Sequence, residues 1–251
     1  MSSPRLLVAL AGALLVAACA SPQASINKNL SKQPDRPLPH RMLLVRPDIR
    51  VHEISTGGIV EQVDEWSNKA SDEAAKSLET LAQSSHMFEP FAPSKLSDAE
   101  RATLEQYSAL YILVAGSANL ARRSPYAAWQ QRAADFDYTL GPGLAQVASD
   151  EKLDAVVFVV GTDHISSAGR KAAMVVGVIG SALLGIGYIP SSVPAFVTAG
   201  VVDMRSGDLL WYSTQTRPAT DDLRDPAVMS SVIDDLFKTY PGAVKLSDAK
   251  K

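Results

Sequence analysis

The spacing of hydrophobic and polar residues changes several times along the chain, and each change predicts a different element of secondary structure. Residues 42–45 form a continuous apolar run and residues 51–54 alternate, which predicts two short strands separated at Pro47. Across residues 60–84 the apolar positions recur every three or four residues, as in a helix with one buried face. The chain is therefore predicted to begin its fold with two strands and a long helix.

Further helices and strands are predicted after this point. Ser97 and Glu100 have the spacing of a capping box, which predicts a helix over residues 98–115. Residues 155–160 are an uninterrupted apolar run rich in valine, which is typical of a strand covered on both faces. Strand and helix patterns thus continue to alternate along the chain.

The last part of the pattern predicts a hairpin and a closing helix. Two strands, residues 193–204 and 208–215, are separated by a tight turn, and a helix is predicted to start at Pro226. We therefore expect a single α/β domain over residues 41–240, with a mixed sheet flanked by helices.

The N-terminus has the layout of a bacterial secretion signal. Arg5 provides a positive charge, residues 6–18 are apolar, and Cys19, the only cysteine of the chain, follows them. The four residues Val-Ala-Ala-Cys that end at Cys19 resemble the bacterial lipobox, whose cysteine is lipidated and becomes the mature N-terminus. We therefore predict a signal peptide over residues 1–18 and lipid attachment at Cys19. The alternative is an uncleaved anchor helix or a buried strand, but this apolar run is shorter than the roughly 20 residues of a spanning helix.

The segments on either side of the domain are predicted to lack fixed structure. Residues 19–40 are the predicted lipidated N-terminus and flexible tether, because prolines and serines are frequent and large apolar residues are few. Residues 241–251 are predicted to be a disordered tail.

The lipobox resemblance also implies sorting to the outer membrane, since Ala20 stands where inner-membrane lipoproteins usually have aspartate. The domain would then face the periplasm.

Composition argues against several classes of function. The 27 acidic residues outnumber the 24 basic ones, which disfavours nucleic acid as a partner. The 4 histidines are scattered without the one-turn spacing of a helical metal pair, so we expect no metal site. Residues 141–146 begin like a dinucleotide fingerprint but lack its last small residue and follow no predicted strand. No cofactor is therefore expected.

Several blocks of the chain carry a likeness to known proteins. They are MLLVRPDIRVHEISTGGIVEQVDEW, DYTLGPGLAQVASDEKLDAVVFVVGTDHISSAGR, VVDMRSGDLLW and DLRDP. These blocks resemble a group of uncharacterised proteobacterial outer-membrane lipoproteins. More distantly, the pattern of Asp203, Gly207, Asp208 and Trp211 is similar to the periplasmic α/β domains of the curli secretion lipoprotein CsgG and the penicillin-binding-protein activator LpoB. The resemblance implies a fold and an envelope location, and it implies no activity.

Polar residues crowd the end of the predicted strand at residues 155–160 and form the candidate ligand or partner site: Asp163, His164, Ser166, Ser167 and Arg170. Ligands of open α/β sheets bind at the carboxyl ends of strands. Alternation along the strand would place Asp163 and His164 on opposite faces, which argues against a Ser/His/Asp nucleophile. The alternative is that Ser166 or Ser167 caps the following helix and Arg170 is a surface residue.

Residues 172–189 contain no charged side chain. Their length permits a membrane crossing, but glycine and alanine dilute the hydrophobicity, and Arg170 and Lys171 would lie on the wrong side for the positive-inside rule. Small residues recur at every fourth position: Ala173, Gly177, Ser181 and Gly185. We expect a buried or interface helix that packs through this stripe on the sheet or on a second copy, with a membrane crossing as the alternative.

These observations predict a non-enzymatic binding or scaffold module that contacts the membrane through Cys19 and acts on an envelope protein partner or by self-association. Two alternatives stay open: a component of a membrane-inserted or secretion assembly that uses residues 172–189, and a hydrolase with a site near residues 163–170.

The densest aromatic cluster is expected in the core, with a partner-binding surface as its alternative role: Tyr126, Trp129, Phe136 and Tyr138.

Overall fold

The computed structural model describes residues 22–32, 37–183 and 193–243. The predicted signal peptide, Cys19, Gly185 and residues 244–251 lie outside the described residues. The strands are β1 Gln23–Ile26, β2 Arg41–Leu44, β3 Asp48–Ile54, β4 Val60–Gln62, β5 Glu89–Phe91, β6 Ala155–Ser166, β7 Ala195–Asp203 and β8 Leu209–Arg217. The helices are α1 Lys28–Ser31, α2 Asp64–Ser85, α3 Asp98–Arg123, α4 Ala127–Asp135, α5 Ala168–Leu183 and α6 Pro226–Phe237.

In the described part of the chain, the strands form one mixed 8-stranded sheet with β6 near its centre. One side of β6 pairs with β7 in antiparallel fashion, and β8 and then β1 continue the sheet on that side. The other side of β6 pairs in parallel with β2 along its first residues and with β3 along its later residues. The predicted α/β fold with a mixed sheet is confirmed, as is the division of the first strands around Pro47.

Two hydrophobic cores lie on the two faces of the sheet. Helices α2 and α6 cover one face, where residues such as Leu78, Trp211 and Phe237 are buried. Helix α3 and the segment before β6 cover the other face, where Tyr111 stacks on Phe158. Successive residues of a strand point to opposite faces, so the continuous apolar run of β6 supplies both cores.

The bounds of three elements differ from the sequence-based expectations. The helix predicted from residue 60 begins at Asp64, because residues 60–62 form β4 and pair with β3. Helix α3 continues past the predicted residue 115 to Arg123, where Ser124 precedes a proline and leaves the helical conformation. Strand β6 runs beyond the predicted residue 160 because β3 pairs with its second half.

Part of the predicted tether packs on the sheet. Residues Gln23–Ile26 form β1 and pair with β8, and the Arg122 guanidinium donates hydrogen bonds to the carbonyls of Gln23 and Ala24 at 3.1 and 3.0 Å. Asn27 is buried and its amide donates to the Leu209 carbonyl at 3.3 Å. Strand β1 thereby covers the edge of β8, whose backbone groups would otherwise be unpaired on that side. Fewer residues than predicted therefore separate Cys19 from the first element of the domain.

Candidate functional site

Asp163 is a buried carboxylate that holds the fold together at the end of β6. Its side chain is 1% exposed and accepts hydrogen bonds from the backbone N–H groups of Leu223 at 3.0 Å and His164 at 2.7 Å. Burial raises the pKa of Asp163, and the two backbone donors oppose that shift. Asp163 therefore ties the loop before α6 to β6, and this role does not require a ligand.

His164 lies on the opposite face of the sheet, as the alternation of the strand predicts, and forms a pair with His52. The parallel register of β3 and β6 places the two residues side by side, with their rings stacked at 5.0 Å between centroids and 15° between planes. Within the described chain, both Nδ1 atoms are buried without a hydrogen-bond partner. Sequence reasoning missed this pair because only the strand register brings the two histidines together.

The protonation of His164 is coupled to folding. Burial is the main cause that lowers the pKa of His164, and the neighbouring His52 lowers it further. A histidine whose pKa is lower in the folded state stabilises the fold fully above its unfolded pKa of about 6.5. This stabilisation is lost as the pH falls from about 6.5 towards the lower pKa of His164 in the folded state.

We expect His164→Phe to keep the ring contact with His52 and to reduce the loss of stability in acid. Urea unfolding of the wild type and of His164→Phe at pH 7.5 and pH 5.5, values chosen to bracket the ordinary histidine pKa of about 6.5, measures the difference. The free energy of unfolding of the wild type should fall more between the two pH values. An equal fall in both proteins would show that His164 is not an acid-sensitive group.

The two serines and Arg170 do not form a nucleophilic site with His164. Ser167 Oγ accepts a hydrogen bond from the Arg170 backbone N–H at 3.2 Å, and this bond is the helix cap expected as the alternative from the sequence. No hydrogen bond joins Ser166 or Ser167 to His164 among the described residues. The five candidate residues thus lie on two faces of β6 and at the start of α5, and they do not converge.

Helix α5 is exposed to solvent along most of its described length. Its exposed apolar residues are Val175, Val176, Val178, Ile179 and Leu183, with Val176 at 70% and Leu183 at 83% exposure. The expected burial on the sheet is wrong for this helix, because α5 begins beyond the end of β6 and makes no extensive contact with another described element. Ala173 is exposed, Gly177 and Ser181 are half-buried, and the use of their stripe as an interface with a second copy stays a prediction.

Helix α5, Ala168–Leu183, covers the first part of the apolar segment for which a membrane crossing is the alternative. Among the described residues, no helix combines the length and the hydrophobicity needed to cross a membrane. Helix α5 as described ends at Leu183, and the rest of the segment at residues 172–189 lies outside the described residues.

The predicted aromatic cluster divides between the core and the surface. Phe136 and Tyr138 are buried and pack against each other with their ring centroids 5.5 Å apart, as expected for core residues. Tyr126, which precedes α4, and Trp129, on α4, are in contrast 71% and 40% exposed. Beside them in sequence, α3 carries an outward row of exposed leucines, here called the α3 stripe: Leu110, Leu113 and Leu120. These residues share one face of the helix by their spacing.

Neither a described cluster of metal ligands nor the groove beside β3 includes the candidate residues. Within the described ranges, no three histidine, cysteine, aspartate or glutamate side chains are close enough to hold a metal ion. A groove of about 510 Å³ opens where β2 meets β3, but its described lining includes none of the candidate residues. Two arginines at this groove, Arg46 and Arg50, are paired with Asp72 at 3.0 Å and Asp48 at 2.9 Å.

Comparisons with known proteins identify no family for the chain. No protein-family profile matches it, and no curated protein matches it. A point variant of the PelC dodecamer from Paraburkholderia phytofirmans is similar in structure at 8% identity, over 86% of this chain and 95% of the other, with a TM-score of 0.33. The PelC dodecamer in another crystal form aligns at 8% identity over 87% and 94%, with a TM-score of 0.32. Likeness at this level carries no argument about this chain.

Proposed function

We propose that the chain is a lipoprotein anchored in the outer membrane through Cys19, with a periplasmic domain that acts by binding and not by catalysis. The observation that carries the proposal is the set of exposed apolar side chains on α3, α4 and α5. Clustered apolar side chains on a water-soluble surface are typical of contact sites, because covering them removes apolar area from water. Such surfaces suit a scaffold or binding module.

The polar groups at the end of β6 support the same proposal. Asp163 is engaged with backbone donors, Ser167 caps α5, and His164 stacks on His52. A nucleophilic site needs a nucleophile within hydrogen-bond reach of its base, and these residues lack that arrangement. Their contacts are those of residues that fix the ends of β6 and α5.

The α3 stripe is the proposed contact surface for an envelope protein or for a second copy of the chain. Leu113 and Leu120 are 69% and 61% exposed, so neither side chain contributes much to the core. Aromatic residues are frequent anchors of interfaces, and the stripe is followed by Tyr126, at the N-cap of α4, and by Trp129, within α4. This arrangement places apolar and aromatic side chains on consecutive helices.

A photoreactive residue at Leu113 of the full chain tests the contact in cells. We expect a discrete adduct at this position and none at Glu79, an exposed polar position of α2. The adduct should disappear in the Leu120→Glu variant, whose surface position makes a change in stability beyond about 0.5 kcal/mol unexpected. The mass of the adduct separates a second copy from another protein. Equal labelling at both positions, or an adduct insensitive to Leu120→Glu, would contradict the proposal.

A further inference from the structure

We infer that helix α5 lies on the lipid bilayer that holds the Cys19 anchor and forms a second membrane contact beside the lipid. The inference rests on the proposed lipidation of Cys19 and adds to it the occupant of the exposed α5 surface. Three observations support this inference: α5 follows the end of β6, the chain between Cys19 and β1 is short, and apolar and basic residues lie on and near α5.

The strand registers place the start of β1 and the end of β6 at the same end of the sheet. Gln23 pairs with Thr214, Thr214 with Thr198, and Thr198 with Val160, and each of these pairings is antiparallel. Strand β1 therefore runs opposite to β6. The chain that precedes Gln23 leaves the sheet at the end where β6 leads into α5.

The connection from this end to the lipid anchor is short. Cys19 precedes Gln23 by four residues, and a fully extended chain of that length spans at most about 14 Å. Beyond Val160, β6 continues to Ser166, a rise of about 20 Å at the usual strand spacing. The roughly 14 Å of chain is shorter than the roughly 20 Å rise of β6. The bilayer surface at the anchor therefore cannot lie far beyond the end of β6, and α5 begins at that end.

Other apolar side chains are exposed at this end of the sheet. Ile54 pairs with Ser166, and the turn that follows β3 exposes Ile59 at 70% and Val60 at 52%. Val193, which precedes β7, is also exposed. Together with the exposed apolar residues of α5, these residues are here called the anchor-end surface, and they come from three segments of the chain at this end of the sheet. The anchor-end surface lies at the same end of the sheet as the start of β1, from which the chain leads back to the predicted lipid.

The charges of α5 suit a bilayer with anionic headgroups. Arg170 and Lys171 lie in its first turn, and the helix contains no acidic residue among those described. Basic residues beside an apolar helical surface are typical of helices that lie in the membrane interface.

A bilayer accounts for these features together, whereas a second copy accounts for the apolar helix alone. The bilayer supplies an apolar interior and anionic headgroups next to the same end of the sheet as the anchor. A second copy would have to offer a complementary apolar surface at a place where the short connection already brings lipid close. The bilayer is therefore the occupant assigned to the anchor-end surface.

Spin labels on the full lipidated chain test this assignment. The thiol of Cys19 is consumed by the lipid, so a label reacts only with a cysteine introduced by Val176→Cys, by Ile179→Cys or, as a control, by Glu79→Cys. These positions are solvent-exposed in the isolated domain. The proteins are reconstituted in vesicles of phosphatidylethanolamine and phosphatidylglycerol, and collisions with oxygen and with a water-soluble nickel complex are measured.

At positions 176 and 179 we expect collisions with oxygen to exceed those at position 79, and collisions with the nickel complex to be reduced several-fold. Access of the nickel complex equal to that at position 79 would overturn the inference, and a lipid label on Cys19 in the same sample would leave the lipoprotein proposal intact. Protection of α5 from both reagents would also overturn it, because protein would then cover the helix. A sample without lipid on Cys19 would refute the proposed function and this inference with it.

Discussion

Replacing Gly207 with alanine should lower the free energy of unfolding by roughly 2–4 kcal/mol, because the new methyl group meets both backbone strain and a fixed neighbour. Gly207 has a φ of 73°, in the left-handed region that disfavours a Cβ atom. A Cβ built there would lie 1.9 Å from the Gly141 carbonyl oxygen. The Gly207 carbonyl also accepts a hydrogen bond from the Leu140 N–H at 2.8 Å, so the hairpin and this segment are held together.

The matched control is Gly116→Ala in helix α3. A Cβ at Gly116 meets no atom within 4 Å, and alanine favours helix over glycine by about 0.5–1 kcal/mol. Urea unfolding of the wild type and both variants measures the effect. We expect a strong loss of stability for Gly207→Ala and no loss for Gly116→Ala. A Gly207→Ala variant as stable as the wild type would contradict the described packing of the β7–β8 hairpin.

The sequence was informative where a local pattern has one physical meaning. The capping box predicted at Ser97 is formed, with the Ser97 N–H donating to the Glu100 carboxylate at 2.8 Å and the Glu100 N–H donating to Ser97 Oγ at 3.4 Å. The apolar run of β6 predicted a strand covered on both faces, and its side chains enter both cores. These predictions depend on neighbours in sequence, so one chain is enough to make them.

Features that depend on distant parts of the chain could not be predicted in the same way. Strand β1 has one large apolar residue, Ile26, and pairs because β8 offers an open edge, which is visible only once the sheet is formed. The pairing of His52 with His164 likewise follows from the parallel register of β3 and β6. Neither feature has a signal in the local spacing of residues.

Helix α5 shows the limit of composition as a guide to burial. An apolar helix favours removal from water, but the sequence does not specify whether the sheet, another protein or lipid covers it. The expectation of burial on the sheet failed because α5 starts after the last pairing of β6, at Ser166. The alternative drawn from the sequence, that Ser166 or Ser167 caps this helix, is confirmed for Ser167, since a cap needs only the residues beside it.

Replacing Cys19 with serine should abolish lipid attachment and release the protein from the outer membrane. Cys19 is the only cysteine of the chain, so no other thiol can accept the lipid. Contact through α5 does not replace the anchor, because surface binding by a single helix is reversible whereas a lipidated chain with additional contacts is held firmly. The variant should therefore accumulate as an unprocessed precursor or appear away from the outer-membrane fraction.

Metabolic labelling with an alkyne-bearing fatty acid, followed by separation of the inner and outer membranes on a density gradient, tests this central claim most directly. The wild-type chain should carry the label and sediment with the outer membrane, and the Cys19→Ser chain should carry none. A labelled Cys19→Ser chain, or an unlabelled wild-type chain, would contradict the account of this protein as a lipid-anchored envelope module.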